Sequence, residues 1–312
     1  MLGHHEPAVW LGFSALVTAL LVLDLGVLNR RAHVPSFKEA MSWSLGLVTI
    51  ALLFGLFVLW REGPHPALEY YTGYLIELSL SVDNLFVFIL IFNYFGVPAA
   101  VQPKVLHWGI LGAIAMRFVM IVLGAMLLQR FEWIIFVFGG ILILTGIRMF
   151  TQQEERVEPE KNPIVRLARR VLPLASAYDG DKFVCRTGTG KRLFTPLVLV
   201  LLVIEWTDLV FAIDSIPAIF AVTRDPFLVF SSNIFAILGL RALFFVLAGM
   251  LDKFVYLKPG VALILVFVGI KMTLSHWLHV PTPASLAVIV AVLTGAVVLS
   301  LRRSARESAK AA

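Results

Sequence analysis

Two nine-residue stretches place acidic and polar side chains inside an otherwise apolar chain. Glu77-Leu78-Ser79-Leu80-Ser81-Val82-Asp83-Asn84-Leu85 and Asp208-Leu209-Val210-Phe211-Ala212-Ile213-Asp214-Ser215-Ile216 share one order: carboxylate, Leu, three variable positions, aliphatic, Asp, polar, aliphatic. Carboxylates, an amide and a hydroxyl are hard oxygen donors, suited to Mn²⁺, Mg²⁺ or Ca²⁺ and not to Cu(I) or a Cys/His zinc site. The candidate metal ligands are therefore Glu77, Asp83, Asn84, Asp208, Asp214 and Ser215, with Asn233 as a further donor. Ligand type alone does not choose among the three ions.

Helix geometry constrains this set. At about 100° per residue Glu77 and Asn84 share a face, whereas Asp83 lies about 120° away, and Asp208, Ser215 and Asp214 repeat that relation. Regular helices would not aim both carboxylates of a stretch at one point. Pro217 offers a remedy, because it donates no amide hydrogen and clashes with the carbonyl of Ile213; it predicts a kink or an unwound turn beside Asp214. Unwound backbone would add carbonyl ligands, tolerated in a membrane where it lines an enclosed cavity.

The elements that position these residues must be membrane helices. The 312 residues are 59% hydrophobic and 15% charged, whereas soluble domains run near 45–50% apolar and 25% charged, which excludes a water-soluble enzyme. Apolar blocks fall at about 8–28, 40–60, 71–95, 105–129, 131–150, 195–222, 227–251, 257–275 and 283–301, each near the length that crosses about 30 Å of hydrocarbon. The chain reads as an all-α polytopic membrane protein of about nine spans, the first a retained span and not a signal peptide. Nineteen of the 26 Lys and Arg residues fall in loops of one side, which puts the N-terminus outside and the basic tail in the cytoplasm. The charge of +6 is explained by these loops, and no nucleic-acid partner is expected.

The two stretches belong to a longer repeat. Ala115-Met116-Arg117 matches Gly239-Leu240-Arg241, and Gly146-Ile147-Arg148-Met149 matches Gly269-Ile270-Lys271-Met272. Two N-terminal helices (1–70) thus precede a first three-helix repeat (71–150), a linker (151–194), a second repeat (195–275) and a last helix with its tail (276–312). A three-helix unit reverses direction when repeated, so the copies are inverted, as in many secondary transporters whose sites lie where the copies meet. In the linker, Ile164 to Leu172 has apolar residues at helical spacing and three arginines; it reads as a short docked helix in a solvated connection or as an interfacial helix on membrane lipid.

Six carboxylates fall within spans: Asp24, Glu77, Asp83, Glu205, Asp208 and Asp214. Each costs at least about 2.5–3.5 kcal/mol at a helix centre, so each must be paired, protonated or coordinating a cation. Against Arg117, Arg241 and Lys271 they leave an excess of negative charge that a divalent cation or protons would relieve. Arg117 and Arg241 have two readings, as structural partners of Asp83 and Asp214 or as switching groups when the site empties. Glu205 is a proton carrier or an arginine partner, and Asp24 near a helix end can snorkel. No Gly-x-Gly-Asp, His-Glu-x-x-His or Gly-x-Ser-x-Gly sequence is present, so hydrolytic chemistry is not expected, nor any organic cofactor.

On Glu77-x5-Asp83-Asn84, on Asp208 through Phe220 and on Ser232-Asn233 through Arg241, the chain resembles the TerC family of integral membrane proteins, named from tellurium-resistance operons. The resemblance covers nearly the whole chain and implies a bacterial inner-membrane protein, with members acting in Mn²⁺ export and others known for metal-stress or tellurite phenotypes. It implies that Glu77, Asp83, Asn84, Asp208, Asp214 and Asn233 are the family's acidic and polar motif positions. The expectation is a Mn²⁺ exporter working by alternating access with proton exchange. Its rival is a membrane scaffold that gathers soluble stress-response proteins on the 151–194 loop.

Overall fold

A computed structural model describes residues 6–26, 35–131, 133–151, 163–186, 191–248, 256–275, 277 and 280–311. Ten helices and one small hairpin follow in order: α1 (Pro7–Gly26), α2 (Phe37–Glu62), α3 (Pro64–Phe95), α4 (Gln102–Arg130), α5 (Ile134–Thr151), α6 (Pro163–Val171), β1 (Val184–Arg186), β2 (Arg192–Phe194), α7 (Pro196–Phe220), α8 (Pro226–Ala248), α9 (Leu257–Leu274) and α10 (Thr282–Ala311). Prolines open many of these helices, where the missing amide hydrogen costs nothing: Pro7, Pro64, Pro163, Pro196 and Pro226 are first residues. The start of α2 is instead closed by a capping box between Ser36 and Glu39, and Gly63 at φ 94° turns the chain into α3. Eight of the helices are long and apolar enough to cross a membrane, and α1 adds a shorter apolar stretch, Pro7–Leu23. The protein is an all-helical polytopic membrane protein.

Burial identifies the centre of the bundle. In the most apolar stretch of α8, 83% of residues are buried within the protein, and in α3 65%, whereas α5 and α10 bury 22% and leave the rest for lipid. The packing partners obey an internal two-fold. Exchanging α3, α4 and α5 with α7, α8 and α9 turns the contact of α3 with α8 into that of α7 with α4, and the contact of α5 with α7 into that of α9 with α3; all four occur. The other pairings between the two units, α3 with α7, α4 with α8 and α5 with α9, map onto themselves.

The α5–α9 seam shows the two-fold at atomic scale. A Cβ placed on Gly146 would stand 2.8 Å from the carbonyl oxygen of Ala262, and one on Gly269 would stand 2.8 Å from that of Gly139. In the register that equates Gly146 with Gly269, Gly139 is equated with Ala262, so these are one contact made twice. Only hydrogen at these positions lets the two backbones approach so closely.

The 151–194 segment departs from the expected solvated connection. Its amphipathic α6 packs on α7, and β1 pairs antiparallel with β2 in the register Val184–Phe194, Cys185–Leu193 and Arg186–Arg192. A lone two-stranded hairpin is marginal in water, which is why its short β-forming runs are easily passed over; here it is held by packing and ties. The Tyr178 hydroxyl donates to the Phe95 carbonyl at 2.6 Å, Lys104 Nζ donates to Asp181 Oδ2 at 2.7 Å, and the Phe194 amide donates to the Pro173 carbonyl at 2.8 Å. The described part of the segment is thus a folded cap over one end of the bundle.

The hydrogen bond from Lys104 holds the Asp181 carboxyl below its ordinary value. A carboxyl held lower in the folded state gives its contribution fully above the unfolded value and loses it as pH falls through the folded one. Asp181→Asn should therefore abolish an acid-side loosening of the cap, measured as protease cleavage between residues 173 and 195 at pH 3 against pH 7. The α5–α9 seam gives an opposite-sign pair. Gly269→Ala should lower the thermal unfolding midpoint in detergent by overpacking worth roughly 1–3 kcal/mol, whereas Gly140→Ala, with nothing within 4 Å, should raise it by the helix preference of about 1 kcal/mol.

Candidate functional site

The site begins with the approach of α4 to α7. Gly109 and Gly124 of α4 leave room for Ile204 and Phe220, where added Cβ atoms would stand 3.2 and 2.8 Å away, and Gly112 makes room for the Glu205 carboxylate. Between these contacts α4 carries Arg117, which is fully buried. A guanidinium cannot shed its proton in a protein, so its charge must be met where it lies.

It is met from three other helices. Arg117 Nη2 donates to Asp208 Oδ1 at 3.1 Å and Nε to Asp208 Oδ2 at 3.3 Å, a two-point fork onto α7. Its Nη1 donates to Glu77 Oε1 on α3, to Asn233 Oδ1 on α8 at 3.2 Å and to Ser215 Oγ on α7 at 3.3 Å. Glu77 and Asn233 are fully buried, and Asp208 and Ser215 nearly so. Two carboxylates, one from each repeat, thus face one positive charge. Among the described residues three buried polar atoms find no hydrogen-bond partner: Glu77 Oε2, Asn233 Nδ2 and, one turn along α3 from Glu77, Ser81 Oγ. Orphaned buried groups are costly and mark a site with room for a proton, a water or a cation.

Four of the seven candidate ligands, Glu77, Asp208, Ser215 and Asn233, are therefore gathered around one centre, but by a protein cation. Asn84 is buried on α3 but accepts no hydrogen bond from Arg117. Asp214 does not join them; it accepts a hydrogen bond from Thr145 of α5 at 2.8 Å, as its position about 100° round α7 from Ser215 requires. Arg117 bridges Glu77 and Asp208, one acid from each repeat. The side chains of Asp83 and Asp24 lie outside the described residues. Among the described residues no three His, Cys, Asp or Glu side chains cluster as a metal site.

Two further expectations are corrected. Helix α7 does not unwind beside Asp214; it continues through Pro217 to Phe220. The proline stands three residues from the helix end, so the bond lost is that to the Ile213 carbonyl and little helix remains to be redirected. Glu205 has no arginine partner among the described residues; its half-buried carboxylate lies against Gly112, one turn from Asp208. Thr145 was not foreseen as a polar partner, since a single threonine in an apolar helix usually bonds its own backbone.

Arg241, the repeat counterpart of Arg117, occupies a different setting. It lines a small cavity of about 20 Å³ whose wall includes Asp208, and also a larger one of about 170 Å³ lined by Pro35, Glu39 and Trp43 at the start of α2. Arg241 thus stands between two cavities, one walled mostly by apolar side chains that reaches Asp208 and one that reaches the start of α2.

A bundle of this plan, two three-helix units meeting at a buried charge cluster, defines a multi-pass membrane protein. The profile described as Integral membrane protein TerC family matches residues 62–308, and the chain belongs to that family. It is 52% identical over 299 residues to an uncharacterized membrane protein of Myxococcus xanthus, covering 96% of this chain and 93% of the relative. It is 46% identical over 296 residues to an Escherichia coli K12 protein provisionally named membrane-bound redox modulator Alx, covering 92% of each. A Rickettsia felis membrane protein is 43% identical over 294 residues, covering 94% of this chain and 97% of the relative. No solved structure matches the chain.

Removing one partner of a buried charge pair leaves the other uncompensated at a cost of about 3–5 kcal/mol. Arg117→Met should lower the unfolding midpoint in detergent sharply, and adding Glu77→Gln and Asp208→Asn should recover most of the loss. The triple variant remaining as unstable as the single one would show that Arg117 acts by packing, not charge.

Proposed function

We propose that the protein exports a divalent cation, Mn²⁺ being the ion of choice, across the bacterial inner membrane in exchange for protons. The N-terminus lies outside and the tail in the cytoplasm, following the loop charges. The observation that carries this reading is the Arg117 cluster, in which buried oxygen donors from both repeats surround a positive charge tethered to the protein. The guanidinium holds the place of the transported ion while none is bound. An incoming hard cation takes over Glu77 and Asp208, with the Asn233 and Ser215 oxygens completing the donor set, and Arg117 withdraws.

The internal two-fold supplies the second state. Alternating access in inverted repeats exchanges the conformations of the two units, so the role Arg117 holds here passes to Arg241 when the other unit closes. Arg241 already lines the cavity that Asp208 completes. Glu205, without an arginine and beside Asp208, serves as the proton carrier. A redox role, as in the name of the E. coli relative, finds a single cysteine in the sequence, Cys185, in the cap and not among the spans.

Metal flux into proteoliposomes under an imposed pH gradient tests the proposal. Mn²⁺ should move in preference to Mg²⁺, Ca²⁺ and Zn²⁺, and Glu77→Gln and Asp208→Asn should each reduce flux at least tenfold. Well-folded protein that moves none of these ions would refute the exporter and favour the scaffold.

A further inference from the structure

Helix α6 presents three faces to three different surroundings. Val165 and Ala168 are buried, and the helix packs on α7. At 100° per residue, Leu167 and Val171 form a second face about 120° round the helix, and they are 58% and 69% exposed. Arg166, Arg169 and Arg170 form the third, all exposed, and among the described residues none of them makes an ion pair. A helix that met only water on its free sides would have no use for two large aliphatic side chains there.

The setting accounts for both free faces. Just past the end of α6 the Pro173 carbonyl accepts from the Phe194 amide at 2.8 Å and the Ala175 amide donates to the Phe194 carbonyl at 2.8 Å, which sets the end of α6 beside the start of α7, where that span leaves the hydrocarbon. An apolar strip at this depth meets acyl chains, and the arginines beside it meet the headgroups.

We infer that α6 is a binding site for anionic phospholipid in the leaflet on the cap side. Leu167 and Val171 enter the acyl boundary beside α7, and the guanidiniums of Arg166, Arg169 and Arg170 take the lipid phosphate. Guanidinium favours phosphate because its fork of donors matches two oxygens at once. Free phosphate offers the same anion without the acyl chain that the Leu167–Val171 face requires. The assignment is independent of what the bundle transports.

The test uses the full-length protein in detergent, with phosphatidylglycerol, phosphatidylcholine or inorganic phosphate added, reading the unfolding midpoint and, by native mass spectrometry, retained lipid. Phosphatidylglycerol should raise the midpoint and be retained, while phosphatidylcholine and inorganic phosphate should do neither. Each basic side chain near an anionic surface contributes about fivefold in affinity, so R166Q/R169Q/R170Q should weaken retention roughly 100-fold. Leu167→Ser with Val171→Ser should weaken it as well. Arg169→Gln alone, expected to cost about fivefold, serves if the triple variant does not fold. Equal retention of the two lipids, unchanged retention in the arginine variants, or an equal shift with inorganic phosphate would each overturn the assignment.

Discussion

The structure depends on meeting one buried charge. A guanidinium and two carboxylates removed from water each carry a desolvation cost of several kcal/mol, and their mutual attraction offsets it only when geometry and remaining hydrogen bonds are good. Here the geometry needs four helices at once: α4 for Arg117, α3 for Glu77, α7 for Asp208 and Ser215, and α8 for Asn233. Lipid supplies no hydrophobic drive to bring helices together, because acyl chains are as apolar as leucine, so close packing and polar contacts must do it. Glycines at the α4–α7 and α5–α9 contacts provide the close packing, and the Arg117 cluster provides a polar contact that any shift of register would break.

The two-fold holds for the backbone and fails at the charges. Glu77 corresponds to Asp208 and Arg117 to Arg241, yet Arg117 bridges the two acids while Arg241 lines two cavities, one beside Asp208 and one at the start of α2. Asn233, which helps hold Arg117, corresponds to Gly109, which has no side chain to hold Arg241 in the same way. One sequence thus builds two similar halves and gives their matching arginines different settings. Such bias is what selects one conformation of a pair related by exchange of the halves.

Much of this was legible in residue order. The spans, the repeat and the shared face of Asp208 with Ser215 follow from apolar length and a 100° helical step, and both residues do reach one point. The same step sent Asp214 elsewhere, to Thr145. What could not be read was the partner of Arg117. Motif symmetry suggests pairing within a repeat, to Asp83, whereas the bridge crosses between repeats and depends on how closely α4 approaches α7, a matter of glycines whose neighbours are unknown until the bundle is assembled. The hairpin was hidden for a related reason, since three-residue strands gain their stability from Tyr178, Lys104 and Phe194 contacts made far along the chain.

On the exporter reading, electroneutrality in this low-dielectric centre links metal to proton. With both acids ionised, Glu77 and Asp208 carry two negative charges, which a divalent cation cancels outright. Arg117 alone cancels only one, and the second charge then rests on a carboxylate with an orphaned oxygen, Glu77 Oε2. A proton on that oxygen makes the metal-free cluster neutral as well and gives the orphan a hydrogen to donate. The carboxylate pair is therefore neutralised in two ways, by the metal with Arg117 withdrawn to another counter-charge, or by Arg117 and a proton. Passing between them exchanges a divalent cation for at least one proton, with the guanidinium as the part of the counter-charge that never leaves the protein. With Arg117 withdrawn, a monovalent cation would leave one carboxylate charge uncancelled where a divalent cation leaves none, so the exchange favours a divalent substrate.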